Sequence, residues 1–596
     1  MQPLAPIEAA PLVVPARPDG EGSARSLRIG LALGLGLALA GLVGLAMRIS
    51  LARAFAVDEF AYAHAGWMIA QGAVPHLDFF ETKFSGPLWL FSIVFALGGD
   101  DPHLIGALRI FCWLFVAVVV AGVGLVNRRI HPLAPLATAV VLLANPVFTN
   151  TAIEIRPDTV ALAFLVAALV LIGRADTGRR AVVGLAIGVL LGLSAVCSAK
   201  VSIYASPLAL VWLLERRPGS DRAARLFRAP FAVAAGFAAV LVGSLGLLVG
   251  TGSLEAFIAQ AIAHNRQFLV GERWRPWQLD VQFVLMNAPW LHALALVGLA
   301  GIVRPEKSAS RETDASGEAS ADRAAARARR MDLVLAAMLA TAFASHAIQL
   351  YPFLYSLLPF MALEAIFAGR GLVGIVRWIA VWPAAPLRRL VAVGLAGWSA
   401  IGIAMGAALL AALGAPSNQG QRALFDEIER VSGPGDAIYD NSGSYVARRS
   451  AYFLPWTDAP IRALWAEKLV QEVPRAIEAS ECVVAVVDER FGGLPPALQG
   501  YLQAHFKPWS GSVLLWGADF AVRDGAVEGE FVANRSGTYR IQPAEVATSG
   551  GLSIDGRPVS GEVVELARGS HAVAYRGNSE GFRLQWLPGD RRLAAR

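Results

Sequence analysis

The amino-acid sequence predicts a mainly α-helical, polytopic membrane protein with about eleven spanning helices, followed by a C-terminal region of α/β and then β structure. Three observations predict this class. Hydrophobic residues make up 55% of the 596 residues and charged residues only 16%, whereas soluble domains carry roughly 25% charged residues. Several apolar runs approach the roughly 20 residues that cross a bilayer. After Pro416 these runs stop, and shorter helix-like and strand-like segments alternate.

The charge of the chain indicates membrane topology and not a nucleic-acid partner. The net charge is +6, and the arginines behind it recur between apolar runs, as expected for loops on the cytoplasmic side. The three cysteines, Cys112, Cys197 and Cys482, do not have the spacing of a metal site and are interpreted as packing residues.

The first hundred residues fix the predicted topology. Residues 1–26 hold five prolines and no apolar periodicity, which predicts a disordered cytoplasmic tail. The first span covers 27–47. The apolar run 87–97 has about half the length needed to cross a bilayer, so we place it in the interface, within a first outer loop at 49–102. The arginines at 128–129 then lie inside, as the positive-inside rule prefers.

The later spans alternate across the membrane, and the arginine clusters between them fall repeatedly on the inner side. The inner linker 304–330 is rich in Ala, Ser and charge and is predicted to be mobile. The membrane domain then covers 27–415, and the C-terminal region lies outside. The remaining predicted spans are 103–126, 133–148, 158–172, 181–197, 201–214, 230–249, 285–303, 333–348, 353–367 and 390–413.

The C-terminal region is predicted to hold two units. In residues 416–524, strand-like runs such as 437–439 and 482–488 alternate with helix-like runs, which predicts an α/β unit. In residues 525–596, short strands are separated by Ser-Gly, Asp-Gly and Arg-Gly turn signals, which predicts a β-sandwich. Carbohydrate binding, which would orient a polymeric acceptor, and a stabilising or partner-binding role both remain open for this sandwich.

Charged residues beside the apolar runs collect on the predicted outer side. Charges this close to hydrocarbon are costly unless they are paired or lie in a wetted cavity. They are therefore either ion pairs that hold helices together or a site at the lipid–water boundary. The outer-side set comprises Asp58, Glu59, Asp78, Glu81, Lys83, Glu154, Arg156, Asp158, Lys200, His264, Asn265, Arg266, His346, Gln349, Tyr351 and Tyr355.

Several short motifs follow one another in a distinctive order. They are Asp58-Glu59, Gln71 to Pro75 with Asp78 to Phe80, Lys83 with Gly86-Pro87-Leu88, Arg109, and Arg156-Pro157-Asp158. In order, spacing and membrane side, these motifs resemble the GT-C glycosyltransferases, and most closely glycosyltransferase family 39 with its bacterial relatives, which include aminoarabinose transferases. The resemblance covers roughly residues 27–370. One departure is the sequence Lys-Phe-Ser-Gly-Pro where the family usually has Lys-Pro-Pro.

The resemblance implies an enzyme that moves a sugar from a polyprenyl-phosphate donor, with inversion, to an envelope glycolipid, polysaccharide or protein. Asp58 is expected to act as the general base for the acceptor hydroxyl, with Glu59 orienting it or binding sugar. Asp158 is expected to be a second acid that shapes the site. Cations are needed where the lipid-phosphate leaving group gains charge. The residues expected to bind substrate or lipid phosphate are Lys83, Glu81, Arg156, Lys200, His264, Arg266 and Tyr351.

The resemblance leaves metal use open. Asp58 and Asp158 are the expected ligands if a divalent cation takes part, but two carboxylates without visible octahedral partners form a weak metal signal. No other cofactor is expected. The expected location is the bacterial inner membrane, with the N-terminus in the cytoplasm and the C-terminal units in the periplasm.

Two other functions compete with glycosyl transfer. A lipid or sugar transporter or flippase would place its polar residues near the middle of the membrane and often shows internal repeats, whereas here the acids lie at one face and no clear repeat is found. A glycan-binding envelope scaffold would explain the C-terminal units but would leave the acids at the membrane unexplained.

Overall fold

A computed structural model of the chain describes residues 20–174, 180–208, 222–267, 276–303, 315–381, 386–454 and 459–589. Within them, an N-terminal helical domain is followed by a C-terminal region rich in β-sheet. Most of the predicted tail, 1–19, lies outside the described residues, as do residues 304–314 of the predicted inner linker. The rest of that linker is not irregular, because a helix runs through it from Ala315 to Ala347.

The helical domain follows the order of the predicted spans. Its helices are α1 (Gly20–Ala52), α2 (Val57–Ala70), α3 (Gly86–Gly98), α4 (Leu104–Val126), α5 (Ala134–Ala144), α6 (Pro146–Ala152), α7 (Pro157–Arg174), α8 (Arg180–Cys197), α9 (Val201–Tyr204), α10 (Arg222–Gly250), α11 (Leu254–Phe257), α12 (His264–Gln267), α13 (Trp277–Asn287), α14 (Pro289–Val303), α15 (Ala315–Ala347), α16 (Leu358–Val381) and α17 (Pro386–Leu413). A π-helical turn, Ile258–Ala263, joins α11 to α12.

The protein is a multi-pass membrane protein. In the part of the chain that the structure describes, five helices are long and apolar enough to cross a membrane, or seven if each of two bent helix pairs counts as one span. Three shorter apolar helices, Gly86–Gly98, Pro157–Gly173 and Ala181–Cys197, accompany them. The predicted span at 201–214 continues into residues outside the described ranges.

Two predicted spans are broken helices. The pair α5 and α6 bends by 80°, and the pair α13 and α14 bends by 89°. Each break is followed directly by a proline, Pro146 or Pro289, whose missing N–H and ring prevent a continuous helix. At the first break the Asn145 side chain accepts hydrogen bonds from the N–H groups of Val147 and Phe148, which caps the new helix.

The first loop of the helical domain is largely helical itself. Helix α3 has 13 residues, too few to cross a bilayer, in agreement with its predicted interfacial position. Helix α2 is held beneath the C-terminal region, and nine of the ten residues from Glu59 to Met68 are buried. Its N-terminus carries the predicted acid pair.

The C-terminal region begins with helix α18 (Gln419–Val431), and the described strands and helices after it largely coincide with the runs predicted from sequence. The further helices are α19 (Ala459–Ala479), α20 (Pro496–His505) and α21 (Ala544–Thr548). The strands are β1 (Ala437–Tyr439), β2 (Arg449–Ser450), β3 (Val484–Val486), β4 (Phe506–Ser510), β5 (Val513–Ala521), β6 (Ala526–Ala533), β7 (Gly537–Gln542), β8 (Leu552–Ile554), β9 (Arg557–Pro558), β10 (Val563–Leu566), β11 (Gly569–Arg576) and β12 (Gly581–Trp586).

The strands in the described residues form an eight-stranded and a four-stranded sheet. The larger has the order β10-β7-β12-β5-β3-β1-β2, with β4 also paired to β5, and the smaller has the order β6-β11-β8-β9. Strand β5 pairs with β3 on one edge and with β12 on the other. The expected boundary near residue 525 is therefore not a break in the sheet, because β5 belongs to the ladders of both predicted units.

The C-terminal region is fastened to the start of the helical domain's first loop. The Ala54 N–H donates to the Pro416 carbonyl at 2.8 Å, and the Asn418 N–H donates to the Ala52 carbonyl at 2.9 Å. The Gln421 side chain hydrogen-bonds both the N–H and the carbonyl of Phe55. These backbone contacts set the C-terminal region directly over the first turn of α2, where the candidate site begins.

Candidate functional site

The predicted acid pair lies in the first turn of α2, and its two members have different surroundings. Glu59 is completely buried. Its Oε1 accepts hydrogen bonds from Arg109 Nε at 2.7 Å and from the Ile155 N–H at 3.0 Å. Its Oε2 accepts from Arg109 Nη2 at 2.6 Å and from the Ala56 N–H at 2.9 Å. Burial opposes the charged carboxylate, but Arg109, the Ala56 N–H and Arg53 together hold the pKa of Glu59 below its ordinary value.

Glu59 therefore has a structural role in this arrangement. With both oxygens taken by four donors and no exposed surface, it has no atom to offer a substrate, and the sugar-binding part of its expected role finds no support in the geometry. Its partner Arg109 also donates to the carbonyls of Ser50, Arg53 and Ala54. The pair thus fixes the end of α1, the start of α2 and helix α4 relative to one another, which positions the neighbouring Asp58.

Asp58 lies between two arginines and keeps part of its surface open. Its side chain is 23% exposed, its Oδ2 lies 3.1 Å from Arg156 Nη1, and its Oδ1 lies 3.5 Å from Arg490 Nη2. Arg156 is also paired with Glu154, which in turn contacts Arg53. Asp58 is thus a partly accessible carboxylate that two cations hold in place.

Lys83 approaches the same region from the loop before α3. Its Nζ donates to the Tyr62 hydroxyl, one turn along α2 from Asp58, at 3.0 Å. Its backbone N–H donates to Glu81 Oε1 at 3.0 Å, which fixes the loop. Burial alone would lower the pKa of Lys83, but the neighbouring acidic groups, among them Asp158, Glu81 and Asp58, raise it above its ordinary value. Lys83 is therefore a half-buried, charged ammonium group.

The Tyr355 ring connects Arg156 to Lys200. The guanidinium carbon of Arg156 lies 4.5 Å from the centre of this ring and Lys200 Nζ lies 5.2 Å from it, both within the range of cation–π contacts. Burial, together with nearby Lys83 and Arg156, lowers the pKa of Lys200 even though Asp158 opposes the shift. The Asp158 Oδ1 accepts a hydrogen bond from the Ser198 hydroxyl at 3.3 Å, two residues before Lys200.

The structure thus brings together Asp58, Lys83, Arg156, Asp158 and Lys200, which we call the polar cluster. Its members come from α2, the following loop, the start of α7 and the turn between α8 and α9. They lie in this loop and at helix ends, on the side of the membrane domain that faces the C-terminal region. Carboxylates and cations alternate within it, so it can hold both a proton acceptor and a bound anion.

Glu81 and His264 lie next to the polar cluster. The buried Glu81 donates its backbone N–H to the Gln260 side chain at 2.9 Å, and the Asn265 amide donates to the Thr82 carbonyl at 2.7 Å. His264 is also buried, and burial together with Lys468 lowers its pKa. An open cavity of about 310 Å³ lies here, lined by Phe80, Ala259, Gln260, Ala263, His264, Trp465 and Lys468.

Two further predicted residues differ in their exposure. Arg266 is exposed near the end of α12, and Tyr351 is half-buried in the turn after α15. In the described ranges, no group of three or more His, Cys, Asp or Glu side chains could hold a metal ion. Asp58 contacts Arg156, and Asp158 accepts a hydrogen bond from Ser198.

The sequence did not indicate Arg490 as a site residue. It follows strand β3 by four positions and contacts Asp58 from 432 positions away along the chain. The only available signal for Arg490 was its position just after a buried strand, because loops at the carboxyl ends of parallel strands often carry function. Tyr355 was only one member of the predicted outer-side set, although its ring contacts Arg156 and Lys200. Tyr62, whose hydroxyl accepts a hydrogen bond from Lys83, was not among the predicted site residues.

A helical membrane domain with short helices at one face, a polar cluster beneath a mixed α/β region, and a first loop built from α2 and α3 together define the GT-C architecture. The expected resemblance to GT-C glycosyltransferases is confirmed at the level of the fold. Residues 86–247 match the dolichyl-phosphate-mannose-protein mannosyltransferase family. No curated protein matches the chain in sequence.

Solved structures show the same likeness over most of the chain. ArnT from Cupriavidus metallidurans in the apo state has a TM-score of 0.54 at 14% sequence identity, over 81% of this chain and 98% of that one. The same protein bound to undecaprenyl phosphate has a TM-score of 0.53 at 12% identity, over 80% of this chain and 97% of that one. At these identities, the likeness is one of fold.

Proposed function

We propose that the protein is a glycosyltransferase that moves a sugar from a polyprenyl-phosphate donor to an acceptor hydroxyl, with inversion at the anomeric carbon. The observation that carries this proposal is the polar cluster, in which a partly open carboxylate and several cations meet at the membrane face. The GT-C fold and the family match over residues 86–247 support the same class of reaction. The undecaprenyl phosphate bound by a protein of this fold supports the choice of donor.

In this proposal Asp58 is the general base. Its Oδ1 has the longer of the two arginine contacts, 3.5 Å against 3.1 Å, so it is the oxygen better placed to accept a hydrogen bond from an incoming hydroxyl. As the acceptor oxygen attacks the anomeric carbon, its proton passes to Asp58 and the bond between that carbon and the phosphate oxygen breaks. Carboxylates within hydrogen-bond reach of a nucleophile commonly serve in this way.

The cations of the polar cluster receive the phosphate in this proposal. Lys83 and Lys200 are the first candidates, because both are half-buried in the cluster and Lys83 remains charged. The lowered pKa of Lys200 has burial as its main cause, and a phosphate beside it would favour its charged form. Arg156 is partly neutralised by Glu154 and Asp58, so its main contribution is to hold Asp58. Fixed cations at the position where charge develops lower the barrier without reorganisation.

The proposal also covers location and acceptor side. We propose that the polar cluster and the C-terminal region lie on the outer side of the bacterial inner membrane. The arginine-rich loops on the opposite side would then be cytoplasmic, as the positive-inside rule prefers. The acceptor would be an envelope glycolipid, polysaccharide or protein. Glu81, His264, Arg266 and Tyr351 are proposed substrate contacts, with the cavity between Phe80 and Trp465 offering aromatic faces to a sugar or lipid.

The test is a transfer assay with purified protein in lipid, radiolabelled polyprenyl-phosphate sugars and crude envelope acceptors. Wild type should move label to acceptor, and Asp58→Asn should abolish transfer without loss of folded protein. Asp78→Asn is the matched control, because Asp78 is exposed on the same loop and an amide oxygen can still accept the hydrogen bond from the Val74 N–H.

Each outcome decides between named alternatives. Transfer by wild type and Asp78→Asn, but not by Asp58→Asn, supports both the reaction and the base. Transfer by all three proteins would keep the reaction and remove Asp58 as its base. No transfer from any donor by folded wild type would refute the proposal and favour transport, which uptake into protein-containing liposomes would then measure.

A further inference from the structure

Two loops of the C-terminal region are tied together above α2. Strands β1 and β3 are parallel neighbours, so the loops at their carboxyl ends lie side by side. Asp488, after β3, accepts hydrogen bonds from the Asn441 N–H at 2.7 Å and the Ser442 hydroxyl at 2.9 Å, both after β1. Its other oxygen accepts from the Arg490 N–H at 2.9 Å. Asp488 therefore fixes the backbone of Arg490 to the loop after β1.

The loop after β1 is in turn docked on α2. The buried His64 of α2 contacts the Val446 carbonyl through Nδ1 at 2.9 Å and the Ser450 hydroxyl through Nε2 at 3.0 Å. Gly443 has a φ of +68°, and a Cβ added there would lie 3.0 Å from the His64 Cβ. The loop thus approaches α2 so closely that only a residue without a side chain fits without a shift of its neighbours.

This chain of contacts ends at the polar cluster. His64 and Asp58 lie on the same helix, so docking at His64 fixes the distance from the loops to Asp58. The Arg490 side chain, only 16% exposed, reaches Asp58 Oδ1 at 3.5 Å. A side chain from the C-terminal region therefore enters the site of the membrane domain, and its backbone N–H is held by Asp488, which is tied to the loop docked on α2.

We infer that Arg490 is a positioning residue for Asp58, so that the C-terminal α/β unit completes the active site of the membrane domain. The inference rests on the proposed function, since it gives Arg490 a role in the same transfer step. With Arg156 on Oδ2 and Arg490 on Oδ1, the carboxylate plane is fixed from both sides and Oδ1 is turned towards the C-terminal region. The acceptor then approaches Asp58 from that side, past Arg490.

The docking contact is tested without any assay of activity. Asp58→Cys combined with Arg490→Cys, in the full-length protein in lipid, is treated with a short bifunctional thiol reagent and digested for mass spectrometry. The three native cysteines are buried and can remain. The control pairs Asp58→Cys with Arg557→Cys, because Arg557 is exposed on strand β9 of the four-stranded sheet. Cross-linking of the Arg490 pair alone is the expected result, and equal yields from both pairs would overturn the inference.

The positioning role is tested by kinetics of Arg490→Ala, Arg490→Lys and the control Arg557→Ala. Arg490→Ala should lower kcat by roughly ten- to a hundred-fold, the scale of a small misplacement of a reacting group, with the KM for the lipid donor nearly unchanged. Arg490→Lys should recover part of the rate, and Arg557→Ala should match wild type. Unfolding midpoints equal to that of wild type would show that the variants lose rate and not folded structure.

The failures of the two proposals are distinguishable. Active wild type with equal turnover by Arg490→Ala and Arg557→Ala would refute the role of Arg490 and leave glycosyl transfer in place. Wild type that transfers no sugar would refute the proposed reaction, whereas the cross-linking result would still decide whether Arg490 docks at Asp58.

Discussion

Replacing Glu59 by glutamine should destabilise the protein strongly, although it changes one oxygen to an NH2 group of almost equal size. Glu59 Oε1 and Oε2 each accept two hydrogen bonds, from Arg109 and from one backbone N–H in each case. An amide keeps only one accepting oxygen. Two buried donors would then face an NH2 group, and one of them belongs to a charged guanidinium.

The size of the effect follows from the count of lost bonds. A buried donor left without an acceptor costs about 1–3 kcal/mol, and more if it is charged. Two such lost bonds together cost about 2–6 kcal/mol. This agrees with the cost of removing one partner of a buried ion pair, which is about 3–5 kcal/mol. We therefore expect Glu59→Gln to lower the free energy of unfolding by about 3–5 kcal/mol, a large part of a typical total of about 5–15 kcal/mol.

The assay is equilibrium unfolding of micelle-solubilised protein by titration with SDS, followed by tryptophan fluorescence. Glu255→Gln is the matched control, since Glu255 is exposed in helix α11 and its substitution should leave the midpoint unchanged. Glu59→Gln should unfold at a clearly lower SDS fraction. If the two variants unfold at the same midpoint, the reasoning that assigns Glu59 a structural role is refuted.

Two further predictions concern the C-terminal region. Gly443→Ala should weaken the docking of the C-terminal region on α2 by about 1–3 kcal/mol because of the positive φ and the contact with His64. The control Gly435→Ala, whose Cβ meets nothing within 4 Å, should leave the docking unchanged. Equal protease sensitivity of the two variants would contradict the prediction. Burial and the neighbouring Asp488 raise the pKa of Asp440 from 3.8 to about 6. The contribution of Asp440 to stability is therefore full below the ordinary pKa of an aspartate and is lost as the pH rises through about 6. The difference between the unfolding midpoints of wild type and Asp440→Asn should therefore decrease as the pH rises from about 4 to about 7. A difference that stays constant over this range would count against the prediction.

The class of fold and most elements were predictable because they depend on local signals. The length and apolarity of the runs predicted membrane helices, and the short apolar segment before 98 predicted the interfacial helix α3. Strand β1 coincides with the predicted run 437–439, because a buried apolar run bounded by Asp residues reads clearly as a strand. The breaks at Pro146 and Pro289 were missed, although proline inside a predicted helix is itself a signal for a break.

The division of labour within the site was not predictable in the same way. Asp58 and Glu59 are adjacent and chemically alike, yet one is open and the other is fully buried. The difference depends on Arg109, 50 positions away, and on Arg490, 432 positions away. No periodicity or spacing reports contacts of that range, so sequence indicated the neighbourhood of the site and not the role of each carboxylate.

The order of strands in the larger sheet has a consequence for how the C-terminal region is made. Strand β12, the last in chain order among the described residues, is inserted between β5 and β7. Until β12 has been synthesised, β5 leaves the backbone groups from Gly517 to Ala521 without their partner strand, and such an open edge invites pairing with other chains. A shortened chain that ends after β5 would carry that edge permanently, so the C-terminal region has to be produced and handled as a whole.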